Sequence, residues 1–191
     1  MNTAFIGIDY IIDITHPDGK IPHSSPNVIQ GHVIEHANRI LTLAGEKNWL
    51  KLLVKVGFST HYTEQPKSSP LFGQLNQIGG LSLDTKGTDF HPDLHAHLAD
   101  MVIIKPRVSA FYCTELEAAL RANKIERLII AGVSTSMTVQ STAREAHDRD
   151  YQVVIVEDAC AAPTQAEHNS SIEFLKGIAT VVDAEQLAKM V

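Results

Sequence analysis

Three side chains that could carry out a hydrolytic reaction stand at or just beyond the ends of apolar runs. Asp9 and Lys105 each close such a run, and Thr138 lies in the hydroxyl-rich stretch "AGVSTSMTVQSTAREA" that follows another. A buried carboxylate and a buried ammonium at neighbouring strand ends can offset each other's burial cost by pairing. A carboxylate beside a hydroxyl at a helix start could act as a base in acyl transfer, with helix N–H groups stabilising an oxyanion.

Each of these residues also has an ordinary structural explanation. Asp9 could be a capping or turn acid, and Lys105 could be a sheet-edge lysine whose ammonium reaches water. The stretch around Thr138 could be no more than a well-capped helix start. Ligands of doubly wound sheets bind beyond the carboxyl ends of the strands, so the convergence of all three residues there favours chemistry.

Short apolar runs alternating with amphipathic segments predict the elements that position these residues. The predicted strands cover 3–8, 50–56, 101–105, 127–132, 152–157 and 179–183. The predicted helices cover 25–46, 114–123, 135–149, 164–176 and 183–190. Because the strand runs are almost continuously apolar, the sequence predicts an α/β protein with a parallel sheet that is covered on both faces. We expect a single domain over residues 1–191.

Three of the predicted helix starts have the spacing of a capping box, in which two side chains satisfy free N–H groups reciprocally. The pairs are Thr114 with Glu117, Thr164 with Glu167, and Asp183 with Gln186.

The segment 57–100 is the longest stretch without a predicted element. Its turn residues are interleaved with aromatic and histidine side chains, namely Phe58, His61, Tyr62, Phe72, Phe90 and His91. A connection of this length inside a compact domain is usually functional, which favours a pocket lid or a subunit contact. The alternative is a surface loop packed by its own side chains.

Composition excludes several classes of protein. The formal charge of −6 and the lack of a basic run argue against a nucleic-acid partner. No apolar run approaches the roughly 20 residues of a membrane span, and the first residues lack the basic start of a signal peptide. Two cysteines, Cys113 and Cys160, are too few for a disulfide framework. We therefore expect a cytoplasmic protein with a small-molecule substrate and no membrane partner.

Three stretches resemble the isochorismatase-like, or cysteine hydrolase, superfamily, which includes nicotinamidases and N-carbamoylsarcosine amidases. They read "FIGIDYIID", "IIKPRVSAFYCTELEAAL" and "LIIAGVSTSMTVQSTAREAHDRDYQVVIVEDACAA". The resemblance covers nearly the whole chain. It implies a three-layer α/β/α fold whose six-stranded parallel sheet has the order 3-2-1-4-5-6, and a homodimer or homotetramer.

In that superfamily an Asp, Lys and Cys triad hydrolyses amides. Asp9 and Lys105 match the first two members, and Thr138 occupies the position of the cysteine. The resemblance also implies a cis peptide between Val133 and Ser134, which would turn N–H groups towards the substrate oxyanion.

The threonine leaves three functions open. In the favoured one, Asp9 is the base, Lys105 stabilises negative charge, and Thr138 attacks the C–N bond of a small non-peptide amide. In the second, isochorismatase-type hydrolysis of a vinyl ether, Asp9 is an acid and Thr138 only orients substrate or water. In the third, the pocket binds a small molecule without turnover.

Six further residues are substrate-binding candidates. They are Arg107, which could hold a carboxylate, Phe111 as a pocket wall, Ser134 and Thr135 at the corner, and the histidines His61 and His91. Nicotinamidases hold a metal through an Asp-x-His corner, which reads Ser59, Thr60, His61 here. Since the carboxylate is missing, we predict neither a metal nor a cofactor.

Overall fold

The computed structural model describes residues 1–190, and its six strands form one fully parallel sheet. The strands are β1 (Thr3–Ile8), β2 (Leu50–Val56), β3 (Met101–Lys105), β4 (Arg127–Gly132), β5 (Gln152–Val156) and β6 (Thr180–Val182). Their order, β3-β2-β1-β4-β5-β6, confirms the expected topology. The first four strands have the predicted bounds, whereas β5 and β6 are slightly shorter than predicted.

Eight α-helices accompany this sheet within residues 1–190 and complete the three-layer α/β/α fold. They are α1 (Ile12–Thr15), α2 (Ser25–Gln30), α3 (Val33–Glu46), α4 (Leu75–Ile78), α5 (Leu116–Ala122), α6 (Gln140–Asp148), α7 (Gln165–Leu175) and α8 (Ala184–Met190). Helix α3 contacts β1 and β2 and packs on α8, whereas α6 contacts β5 and packs on α7. No helix in this part of the chain has the length and apolar character needed to cross a bilayer.

The segment 25–46, predicted as one helix, consists of two. Its apolar spacing is correct, but the chain breaks between α2 and α3, where His32 has a φ of +50°. A side chain in this left-handed region cannot continue a right-handed helix. The preceding Gly31 lowers the local helix propensity.

One of the three predicted capping boxes forms completely. Asp183 and Gln186 exchange hydrogen bonds of 2.7 and 3.0 Å between side chain and backbone N–H. Thr164 accepts from the N–H of Glu167 at 3.1 Å, but the Glu167 side chain turns to Ser136 instead of reaching back. The box predicted at Thr114 does not form, because α5 begins at Leu116; the Thr114 hydroxyl donates to the Ala110 carbonyl at 2.6 Å and accepts from the N–H of Leu116 at 3.3 Å.

The central strand β1 brings the chemically interesting strand ends to one edge of the sheet. It lies between β2 and β4, and all of its residues are buried. Ile8 is in register with both Val54 and Gly132. A Cβ at Gly132 would clash with the carbonyl of Ile8, so this close strand contact requires glycine.

The segment 57–100 folds over that edge around a small apolar core of its own. The core joins the end of β1 and β2 to the segment and comprises Ile11, Val56, Phe58, Tyr62, Phe72, Leu75 and Leu81. The buried carboxylate of Asp13 ties the segment down by accepting from the N–H groups of Lys20 at 3.1 Å and Leu81 at 2.8 Å. The segment is therefore packed by its own side chains and also covers the sheet edge.

Candidate active site

Asp9 and Lys105 form a buried ion pair at the carboxyl ends of β1 and β3. The Lys105 Nζ lies 2.8 Å from the Asp9 Oδ2, and the two residues are 1% and 3% exposed. The Asp9 Oδ1 accepts from the N–H of Val56 at 2.7 Å. Asp9 has a φ of +59°, in the left-handed region that aspartate tolerates better than most residues.

Lys105 and Thr138 meet at a single carbonyl oxygen, that of Val108. The Lys105 ammonium donates to the carbonyls of Arg107 at 3.1 Å and Val108 at 3.0 Å. With Asp9, these acceptors use all three of its N–H donors. The Thr138 hydroxyl donates to the same Val108 oxygen at 3.0 Å. The three residues predicted to be catalytic are therefore brought together in one hydrogen-bonded group.

The corner that delivers Thr138 is held by the chain that follows β5. The peptide between Val133 and Ser134 is cis, and a π-helical turn, Thr135–Val139, then leads into α6. The Thr135 N–H donates to the Ala161 carbonyl at 2.8 Å, and the Thr135 hydroxyl lies 2.8 Å from the His168 Nδ1. Burial lowers the pKa of His168, so this imidazole is held in its neutral form at neutral pH.

These residues open into a cavity of about 470 Å³. We call Asp9, Lys105, Ser134 and Thr138 the cavity floor. We call Pro70, Leu71, Phe72, Leu75 and Leu81, all from the segment 57–100, the cavity roof. The remaining wall comprises Ile14, Ile21, His23, Ser24, Val56, Val108, Val133, Met137, Pro163 and Glu167. The cavity thus combines a polar, paired floor with an apolar roof.

Sequence reasoning found the floor but missed most of the roof and wall. The segment 57–100 carried a signal, because its interleaved aromatic and turn residues indicated a lid. Of the aromatic and histidine residues singled out there, Phe72 lines the cavity. His23, Ser24 and Glu167 carried no comparable signal, since nothing in their local spacing shows that they approach the carboxyl end of the sheet.

Among the six substrate-binding candidates, Ser134 lines the cavity and the other five do not. Arg107 turns away because its Nη1 donates to the carbonyls of Glu64 and Pro106, at 3.0 and 2.6 Å. It lines a neighbouring shallow depression instead. Phe111 is buried in the core, where it stacks on Tyr151.

The remaining three candidates also lie outside the cavity wall. Thr135 is fully buried behind the corner, against His168. His61 is exposed, and the half-buried His91 packs its ring 5.4 Å from that of His16. Within residues 1–190, no group of three or more His, Cys, Asp or Glu side chains is arranged to hold a metal ion.

The two cysteines do not supply a substitute nucleophile at the floor. Cys160 is buried, its thiol donates to the Val156 carbonyl, and burial raises its pKa to about 12. A thiol with this pKa is almost entirely un-ionised at neutral pH. Cys113 is exposed, and neither cysteine lines the cavity.

Comparison with known proteins identifies the family of the chain. The Isochorismatase domain family matches residues 3–186. The chain is 31% identical to the uncharacterized isochorismatase family protein YecD of Escherichia coli O157:H7, over 93% of this chain and 92% of that protein. It is also 31% identical to the ureidoacrylate amidohydrolase RutB of Acinetobacter baylyi, over 75% of this chain and 64% of that protein.

A solved structure gives the same result at the level of the fold. The nicotinamidase PncA from Bacillus subtilis superposes with a TM-score of 0.78 and 27% identity, covering 96% of this chain and all of that one. A family match across nearly the whole sequence, the shared fold and a relative that is 31% identical over more than nine tenths of both chains lead to one conclusion: the chain belongs to the isochorismatase family of hydrolases.

Proposed function

We propose that the chain hydrolyses the C–N bond of a small non-peptide amide in this cavity, with Asp9 as the base. The observation that supports the proposal is the buried pair of Asp9 and Lys105, which opens into the cavity beside the Thr138 hydroxyl. Two relatives are an amidohydrolase and a nicotinamidase, which favours an amide as the substrate class.

The attacking oxygen in this proposal is that of a water molecule. The Thr138 hydroxyl donates its proton to Val108, so that proton does not point towards a base, and its lone pairs can accept from water. Asp9 removes a proton as the water oxygen bonds to the amide carbonyl carbon. The C–N bond then breaks, and the amine leaves with the proton returned by Asp9, which yields one carboxylic acid and one amine.

The rest of the floor stabilises the charges of this reaction. Lys105 holds the Asp9 carboxylate in place through the 2.8 Å contact. A helix start leaves its first N–H groups without partners inside the helix, so the turn at 136–138 can donate to the oxyanion of the tetrahedral intermediate. One well-placed donor of this kind contributes about 3–4 kcal/mol to the transition state.

Direct attack by Thr138 is a second route to the same products. It requires the hydroxyl to rotate from Val108 to a base, after which an ester with the substrate acyl group would form. Intact-protein mass spectrometry of a quenched reaction separates the routes, because only direct attack adds the acyl mass to the chain.

Vinyl-ether hydrolysis is the second candidate function. The threonine in the cysteine position favours it, since that reaction needs no protein nucleophile. It requires Asp9 to donate a proton, however, whereas both Asp9 oxygens accept hydrogen bonds from N–H donors here. The contacts are those of a carboxylate, and for this reason we propose the amide reaction first.

A panel of small amides and vinyl ethers, assayed for acid and amine or carbonyl products, tests the proposal. We expect amide turnover that falls by about 10²–10⁴-fold in Asp9→Asn, a replacement that tolerates the left-handed backbone. Thr138→Cys is expected to lower the turnover if Thr138 orients water and to raise it if Thr138 attacks. Amide turnover unchanged in Asp9→Asn would exclude Asp9 as the base. Ligand-induced stabilisation without turnover of any panel member would indicate a binding protein.

A further inference from the structure

We propose that Glu167 makes the cavity selective for substrates carrying a cationic or strongly N–H-donating group, and that it disfavours anionic ones. The inference rests on the proposed function, because it names the class of amide that the same cavity accepts. Two observations support it: the position of the Glu167 carboxylate and the net charge of the side chains that line the cavity.

Glu167 lies in the first turn of α7, and its side chain is directed to the cavity wall. Its Oε1 accepts a short hydrogen bond from the Ser136 hydroxyl, which lies 3.4 Å from the hydroxyl of Ser134 on the cavity floor. Two elements distant in sequence thus hold the carboxylate beside the corner that carries Thr138. The fixed position distinguishes it from a mobile surface glutamate.

The other charged side chains that line the cavity, both on its floor, cancel each other's charge. Asp9 and Lys105 neutralise each other at 2.8 Å, and all three ammonium hydrogens of Lys105 are used. No other lysine or arginine among residues 1–190 lines this cavity. Counting only the Asp, Glu, Lys and Arg side chains, the cavity lining has a formal charge of −1, from Glu167.

Apolar surroundings make this single charge effective. Most of the wall and all of the roof consist of apolar side chains, and charge interactions weaken less in such surroundings than in water. A ligand carboxylate would meet Glu167 without a free cation to offset the repulsion. A ligand ammonium would pair with Glu167 and would be drawn to the cavity mouth.

The strongest alternative is that Arg107 binds an anionic group of the substrate. Arg107 lines a separate depression. Four residues line both this depression and the cavity, namely Leu71, Phe72, Val108 and Met137. A long anionic substrate would have to extend into that depression to reach the Arg107 guanidinium. The Arg107 guanidinium already has partners, because its Nη1 donates to two carbonyls and the group lies over the Tyr112 ring. Part of its binding capacity is therefore used within the chain.

Binding of three matched amides tests the proposal independently of turnover. The probes are para-(aminomethyl)benzamide, benzamide and para-carboxybenzamide, measured by calorimetry at about pH 8, where histidine in model peptides is uncharged. The double variant Asp9→Asn with Lys105→Met serves as the common background, so that the probes stay intact and the floor keeps a net charge of zero. We expect the cationic probe to bind at least about tenfold more tightly than the anionic one.

Two variants in this background assign the preference to one carboxylate. Glu167→Gln keeps an oxygen that can accept from Ser136, and it should reduce the difference between the cationic and anionic probes to within about threefold. Glu173→Gln removes the same charge from the same helix at a side chain that is 70% exposed, and it should leave the difference unchanged.

The outcomes separate this inference from the proposed function. Equal or tighter binding of the anionic probe, or a preference that survives Glu167→Gln, would overturn the role of Glu167. Failure of all three probes to bind would overturn the cavity as the ligand site. A cationic preference in a chain that turns over no amide would support the selectivity and contradict only the proposed reaction.

Discussion

The cavity floor and the cavity roof are built on opposite principles. The floor is polar, stands on strand ends, and pairs each of its charges at distances of 2.7 to 3.1 Å. The roof is apolar and comes from one long connection. The buried carboxylate of Asp13, which lies far from it in sequence, fixes it by accepting a hydrogen bond from the N–H of Leu81. In the proposed reaction the floor supplies the reactive groups, whereas the roof supplies an apolar surface that fits the substrate. Substitutions in the two regions should have separable effects on stability, turnover and binding.

Removing the cation of the floor should have the largest effect. Lys105→Met leaves the Asp9 carboxylate buried without its partner, which we expect to lower the free energy of unfolding by about 3–5 kcal/mol and to abolish turnover. Urea unfolding at neutral pH measures the change. The double variant Asp9→Asn with Lys105→Met should recover part of the stability and none of the activity. A loss below about 1 kcal/mol in Lys105→Met would show that the pair is solvated, and the floor would then not differ from a surface ion pair.

Loosening the roof should have an intermediate effect. Both oxygens of Asp13 accept from backbone N–H groups, whereas an asparagine has only one oxygen and presents an NH2 group to the other donor. We therefore expect Asp13→Asn to lower the free energy of unfolding by about 1–3 kcal/mol. Since Leu81 of the roof is one of the two donors, KM should rise more than kcat falls. Asp18→Asn, at a side chain that is 89% exposed in the same region, is the matched control. If kcat fell alone, with KM unchanged, Asp13 would support the floor and not the roof.

The smallest effects on the free energy of unfolding should appear at acidic pH, where one histidine close to each region takes up a proton. Burial lowers the pKa of His168, behind the floor. Burial also lowers that of His91, in the segment that forms the roof, with Asp93 raising it and His16 lowering it further. A group whose folded pKa is lowered gives stability that is fully present above its unfolded pKa, about 6.5, and is lost as the pH falls through the folded value.

Single variants can assign this acid loss to one region or the other. We expect His168→Gln and His91→Gln each to flatten the fall in unfolding free energy below about pH 6.5, with little change above pH 7.5. Urea unfolding over a pH series provides the measurement. Parallel curves for wild type and both variants would mean that neither imidazole contributes, and that carboxylates alone cause the acid loss.

The same contrast explains what could be predicted from the sequence. Asp9, Lys105 and Thr138 were identifiable because each is tied to the end of an apolar run, and parallel strands bring such ends to one edge. Arg107 and Phe111 lie only a few residues further on, but side-chain direction decides their position, and carbonyls of Glu64 and Pro106 draw Arg107 away. Glu167 was identified as a capping residue, yet its carboxylate faces Ser136, more than thirty residues away in the chain.

The roof was predictable as a feature and not in its details. The turn and aromatic pattern of the segment 57–100 indicated a lid, but its path depends on long-range hydrogen bonds such as the one that the Leu81 N–H donates to the Asp13 carboxylate. No local propensity encodes a bond across nearly seventy residues. The break at His32 was missed for a related reason, because the apolar spacing continues through it while the backbone does not.

The carbonyl oxygen of Val108, which accepts from both Lys105 and Thr138, belongs to the main chain. Every amino acid retains that oxygen, so no single replacement at position 108 can delete the link between the ammonium and the hydroxyl. The acceptor of this link can be moved only by redirecting the backbone after β3, which would affect the hydrogen bonds of both donors together. Diversification of the site is thereby directed towards the surrounding side chains, including the two donors, whereas the shared acceptor is inherited with the fold.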